Sequence, residues 1–105
     1  MAISYRLELS PRVKADTEAV HDEIARDRPR TAEKWMRGFY AKLRSLKRNP
    51  FLYEIIPEAL DLGVTCRHAL FKSHRIIYTV AGRQITVLRV IHAARLLRES
   101  MLEDW

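Results

Sequence analysis

Seven positive charges and no negative one lie between Asp61 and Glu99: Arg67, Lys72, Arg75, Arg83, Arg89, Arg95 and Arg98. Three of the four histidines, His68, His74 and His92, fall in the same stretch. The other 12 positive charges share the rest of the chain with 13 acids, so the net charge of +6 resides in this one segment. Guanidinium groups bind phosphate or carboxylate through paired N–H donors. A histidine among them can move a proton near neutral pH. The bland alternative is a solvated sheet face, because arginine stems cover apolar surface well.

Other chemistries find little support. The single cysteine, Cys66, allows no internal disulfide and no cysteine-based zinc site. The histidines lack ligand spacing and have no acids near them in sequence, so no metal is expected. Three glycines are too few for a phosphate-cradling loop. No Ser-His-Asp set and no pair of carboxylates suggests a hydrolase, and no cofactor is expected.

The elements that must position these residues follow from the hydrophobic periodicity. Residues 3–9 alternate apolar and polar, as a half-buried strand does. Ser10-Pro11 predicts a helix start, and Val13, Thr17, Val20 and Ile24 define one face of that helix. Asp27-Arg28-Pro29 breaks it. A second helix from about Arg30 carries the stripe Ala32, Trp35, Met36, Phe39, Leu43 and Leu46, and ends at Asn49-Pro50. Residues 51–63 read as a loop that packs through its apolar residues.

From there the period becomes two. Strands are predicted over 64–71, 73–80 and 85–91, with a hairpin turn at 81–84. A short helix is predicted over 92–105, its face formed by Leu97, Met101 and Trp105. The fold class is therefore α+β in the order β-α-α-β-β-β-α. The helical hairpin should cover one face of a mostly antiparallel four-stranded sheet. The 105 residues make one domain, with neither a membrane span nor a leader expected, and the cytoplasm is the expected compartment.

Alternation on the third strand directs Ile76, Tyr78 and Val80 to the helices and Arg75 and Ile77 to the opposite, open face. Pairing could bring Arg67, Arg75 and Arg89 onto that face. His92, where the last strand ends, is either a proton carrier or a structural residue bonding the backbone, the latter favoured. Tyr78, Trp35 and Cys66 read as core.

The helical hairpin ending in Leu46-Lys47-Arg48-Asn49-Pro50, then Arg67, the run Ser73-His74-Arg75-Ile76-Ile77-Tyr78-Thr79-Val80, and the closing Val90-Ile91-His92-Ala93-Ala94-Arg95 together resemble the RelE/ParE toxin superfamily across essentially the whole chain. The resemblance implies the toxin of a bacterial type II toxin–antitoxin pair. A cognate antitoxin would silence it through an acidic segment, and oligomers would form mainly through that antitoxin. RelE-like members cleave mRNA on the ribosome, and by analogy Arg75, Arg95 and His92 would be their catalytic residues here. ParE-like members poison DNA gyrase and are not thought to be enzymes. Target binding would fall to Arg67, Lys72, Arg75, Arg89 and Arg95. Lys72 is the only lysine of the strand region and no tyrosine follows Arg95, whereas cleaving members are lysine-rich there. The ParE-like reading is favoured, the RelE-like endoribonuclease is the alternative, and a non-toxic nucleic-acid-binding domain is the third. That third reading wants stacking aromatics, and the strands offer only Phe71 and Tyr78.

Overall fold

Proline sets the start of both long helices, since its fixed φ suits the first helical turn. In the computed structural model, which describes residues 4–102, strand β1 (Arg6–Leu9) leads into α1 (Pro11–Ala25) and then α2 (Pro29–Arg48). A one-turn helix α3 (Ala59–Leu62) interrupts the segment predicted as loop. Strands β2 (Arg67–Phe71), β3 (His74–Ala81) and β4 (Gln84–His92) follow, and a 3-10 turn spans Glu99–Leu102. Ile3 and Trp105, assigned above to the first strand and the last helix, lie outside the described residues. Among the described residues no helix is long and apolar enough to cross a membrane.

The four strands form one sheet in the order β1-β4-β3-β2, with β1 parallel to β4 and the other neighbours antiparallel. The α1–α2 hairpin covers one face. Val13, Trp35, Phe39, Leu43 and Leu46 meet Ala69, Ile76, Tyr78, Ile85, Val87 and Val90 there. Each large side chain so buried contributes roughly 1.5–3 kcal/mol. Trp35 and Phe39 stack with their centroids 5.7 Å apart. Gly38 lets Phe71 approach α2, where a Cβ would stand 2.9 Å from the ring.

The opposite face is not open, as the sequence had suggested. Ile56 from the segment before α3, and Leu97 and Met101 from the C-terminal tail, pack there on Cys66, Ile77, Leu88 and Ile91. Burying Ile56, Leu97 and Met101 removes apolar surface from water and closes this face. The tail reaches that face through a turn, not a helix. Ala93 N–H donates to the Ser73 carbonyl at 2.8 Å and Arg95 N–H to the His92 carbonyl at 2.9 Å.

A β-bulge distorts β4. Ile77 stands opposite Arg89 and Tyr78 opposite Val87, so Leu88 is the extra residue. Leu88 and Arg89 consequently share the second face. Beyond the bulge β4 has no β1 partner, and the start of α1 bonds its edge instead. The Ser10 hydroxyl donates to the Leu88 carbonyl at 2.7 Å, and Asp16 Oδ2 accepts from Val90 N–H at 2.9 Å. The helix starts at Pro11 with Ser10 at the N-cap position, as expected, but the Ser10 side chain serves the sheet and makes no N-cap bond.

Candidate functional site

Arg75 points away from the helical hairpin, as its strand position dictates, yet it is only 4% exposed. The second layer closes over it. Its two Nη groups meet both oxygens of Glu58, which immediately precedes α3 and is itself 8% exposed. Nη2 also donates to the Arg95 carbonyl at 2.7 Å, and Nη1 lies 3.2 Å from His68 Nδ1. Glu58 Oε2 further accepts from Leu97 N–H at 2.8 Å. The Arg75 guanidinium holds the Glu58 carboxyl at about 2, against the opposing effect of burial. One ion pair thus ties β3, the α3 segment and the C-terminal tail together.

Arg89 is engaged in the same way. Its Nε and Nη2 form a fork on the two oxygens of Asp16 in α1, both at 2.8 Å, and its Nη1 reaches the Met101 carbonyl at 3.0 Å. Donating these hydrogen bonds to the Asp16 carboxylate raises the Arg89 pKa above its ordinary value. Arg67 does not join these two. It pairs with Tyr78 across β2 and β3, which puts it on the hairpin side of the sheet. There its Nη1 donates to the Tyr53 carbonyl at 2.6 Å and its guanidinium lies 5.3 Å from the centre of the Phe51 ring. The expected common face of Arg67, Arg75 and Arg89 does not form.

Lys72, His92 and Arg95 are exposed. Lys72 occupies the tight β2–β3 turn with φ +55°, the left-handed region that few non-glycine residues adopt. With His92, His74, Ser73, Lys34 and Trp35 it lines an open cleft of about 800 Å³ between the hairpin and the strand ends. The His74 and His92 rings are 5.5 Å apart edge to face, and Trp35 adds its ring at 5.9 Å from His74. Burial, then the neighbouring His92, depresses the His74 pKa. His92 Nδ1 lies 3.1 Å from Ala94 N–H and accepts its hydrogen bond, fixing the turn after β4.

Residues 7–97 match the family described as the ParE toxin of type II toxin–antitoxin system, parDE. The chain belongs to that family. Twelve chains of solved structures match it. One, titled "Chromosomal ParDE TA system from P. aeruginosa", superposes with a TM-score of 0.68 at 17% identity, over 85% of this chain and 96% of that one. That likeness carries the fold. A comparison with curated proteins finds no match.

In this ParE-family chain two of the five basic residues expected to bind a target, Arg75 and Arg89, are neutralised inside the fold. The sequence reading missed their partners, Glu58 and Asp16. They stand 17 and 73 residues away, and no local pattern links an acid to an arginine at such separations. The one available signal was position, since Asp16 flanks the apolar stripe of α1 between Val13 and Thr17. Among the described residues no three His, Cys, Asp or Glu side chains converge as a metal site would require.

Proposed function

We propose that this ParE-family chain is a toxin that inhibits DNA gyrase by binding, and that a cognate antitoxin with an acidic segment silences it in the cytoplasm. The observation that carries the reading is the burial of Arg75. A nuclease of the RelE type needs strand cations free to stabilise phosphate charge. Here the strand arginine has a carboxylate on both Nη groups. A guanidinium so compensated has little field left for a phosphate. His92, the candidate proton carrier, holds a backbone turn. The net charge of +6 supports an acidic antitoxin segment through charge complementarity.

Controlled expression of the chain alone tests this. Plasmid supercoiling and ribosome-bound mRNA are then followed in the same cells. The reading predicts growth arrest, loss of negative supercoiling and intact mRNA, all reversed by co-expression of the neighbouring antitoxin gene. Cut mRNA with normal supercoiling would favour the endoribonuclease. No growth defect and neither change would favour the non-toxic domain.

A further inference from the structure

The strongest unused charge on the molecule lies on α2. Once Glu58 and Asp16 take Arg75 and Arg89, the last third is no longer the most basic surface. Arg30, Lys34, Arg37, Arg44 and Arg48 recur along the 20-residue α2 at spacings of 4, 3, 7 and 4. Such spacings keep side chains in one row. All five are exposed, as is Lys47 beside them. The row rises about 27 Å from Arg30 to Arg48 at about 1.5 Å per residue. Among the described residues none of the five forms an ion pair. The only acid of α2, Glu33, is occupied by His21 of α1, whose Nε2 lies 3.1 Å from it. Lys72 lines the same cleft as Lys34 and extends the positive surface across to the sheet.

This arrangement works against the isolated helix. Like charges three and four residues apart destabilise a helix by a few tenths of a kcal/mol per pair. Glu23 lines the cleft beside Lys34 and Lys72, but among the described residues no carboxylate forms an ion pair with the row. The face also lacks what a protein partner ordinarily needs. Protein interfaces have an apolar centre depleted of charge. The stripe offers only Tyr40 beside it as an exposed large apolar group. A phosphate backbone needs no such centre, because its affinity comes from cations displacing condensed counterions. Four of the five are arginines, whose donors suit phosphate oxygens.

We infer that the solvent face of α2, through Arg30, Lys34, Arg37, Arg44 and Arg48 with Lys72 at its flank, binds the phosphate backbone of double-stranded DNA without regard to sequence. The site is separate from Arg75 and Arg89 and goes beyond the gyrase reading. It requires only DNA and the free chain, so its failure leaves that reading standing.

Fluorescence anisotropy of a labelled 20-base-pair duplex of mixed sequence, titrated with the purified full chain over a salt series, tests it. Five phosphate contacts predict a slope of log affinity on log salt of about −4.5. The triple variant R30Q/R37Q/R44Q changes only exposed side chains. Its melting temperature should match the wild type and its slope should fall to about −2. K72Q should reduce the slope by at most one further contact. No salt-dependent binding by the wild type, or a triple variant that binds like the wild type, would overturn the proposal. So would poly-glutamate binding that matches or exceeds the duplex, which would assign the face to an acidic polypeptide.

Discussion

Arg75 and Glu58 are paired inside the second face of the sheet, 17 residues apart in sequence and each less than a tenth exposed. Three segments converge on this pair: β3, the stretch before α3, and the tail through the Arg95 carbonyl and Leu97 N–H. Removing one partner of a buried pair leaves an uncompensated charge and costs about 3–5 kcal/mol. That is a large share of the roughly 5–15 kcal/mol that holds such a domain together. Glu58→Ala should therefore lose about that much in denaturant unfolding. The double variant Glu58→Leu/Arg75→Met buries no lone charge and should lose less. A double-mutant cycle should return a coupling of about 2 kcal/mol or more, and simple additivity would contradict the pairing.

The same pair makes the stability of the fold depend on acid pH. The folded Glu58 carboxyl is depressed to about 2 from an ordinary 4.5. Its contribution is complete above the ordinary value and is lost as pH falls toward the depressed one. Stability should decline across that window by on the order of a few kcal/mol from this group. Glu58→Gln should be less stable near neutrality and show a flatter profile between pH 4.5 and 2. Equal pH slopes for variant and wild type would count against the assignment.

Asp16 has two jobs at the bulge of β4. It forks onto Arg89 and accepts from Val90 N–H at the unpaired edge. Asp16→Ala should cost about 3 kcal/mol, since it strands a part-buried guanidinium and a strand N–H together. Hydrogen exchange at Val90 N–H should accelerate relative to Ile77 in the neighbouring strand. Unchanged protection at Val90 would mean that the carboxylate does not hold this edge.

Tyr78 is fully buried, and its hydroxyl donates to the Pro50 carbonyl at 2.5 Å. That bond joins the end of the hairpin segment to β3. Burial pushes the phenol up to about 12. In an ultraviolet titration Tyr78 should ionise later than the other tyrosines. Tyr78→Phe should remove that late step and cost about 1–2 kcal/mol by leaving the carbonyl unpaired. A variant whose titration curve keeps the late step would refute the assignment to Tyr78.

Local pattern made much of this architecture legible. The stripes Val13–Thr17 and Trp35–Phe39–Leu43–Leu46 gave the hairpin its buried face. Alternation through Ile76 and Tyr78 gave β3 its core side. Prolines 11, 29 and 50 marked the limits of both helices. The second face was not legible, because it depends on where irregular segments fold back. Ile56 reads only as part of a packing loop, and Leu97 and Met101 as one face of a terminal helix, with no sign that both segments meet on this side of the sheet. The charge map failed for the same reason. A segment free of acids in sequence receives Glu58 and Asp16 in space, while α2, next to acidic stretches in sequence, keeps its row of cations exposed. Arg67 was misplaced because its face depends on the pairing register with Tyr78, which alternation alone does not fix.

The central claim is that the sheet arginines build the fold and that the toxin acts by binding. Gyrase supercoiling measured with the purified Glu58→Leu/Arg75→Met variant beside the wild type tests it most directly, with circular dichroism and melting temperature confirming that the variant is folded. Inhibition by the folded variant within about threefold of the wild type, less than one decade in affinity, is the predicted result. A folded variant that no longer inhibits gyrase, or a wild type that leaves gyrase untouched while cutting ribosome-bound mRNA, would contradict it.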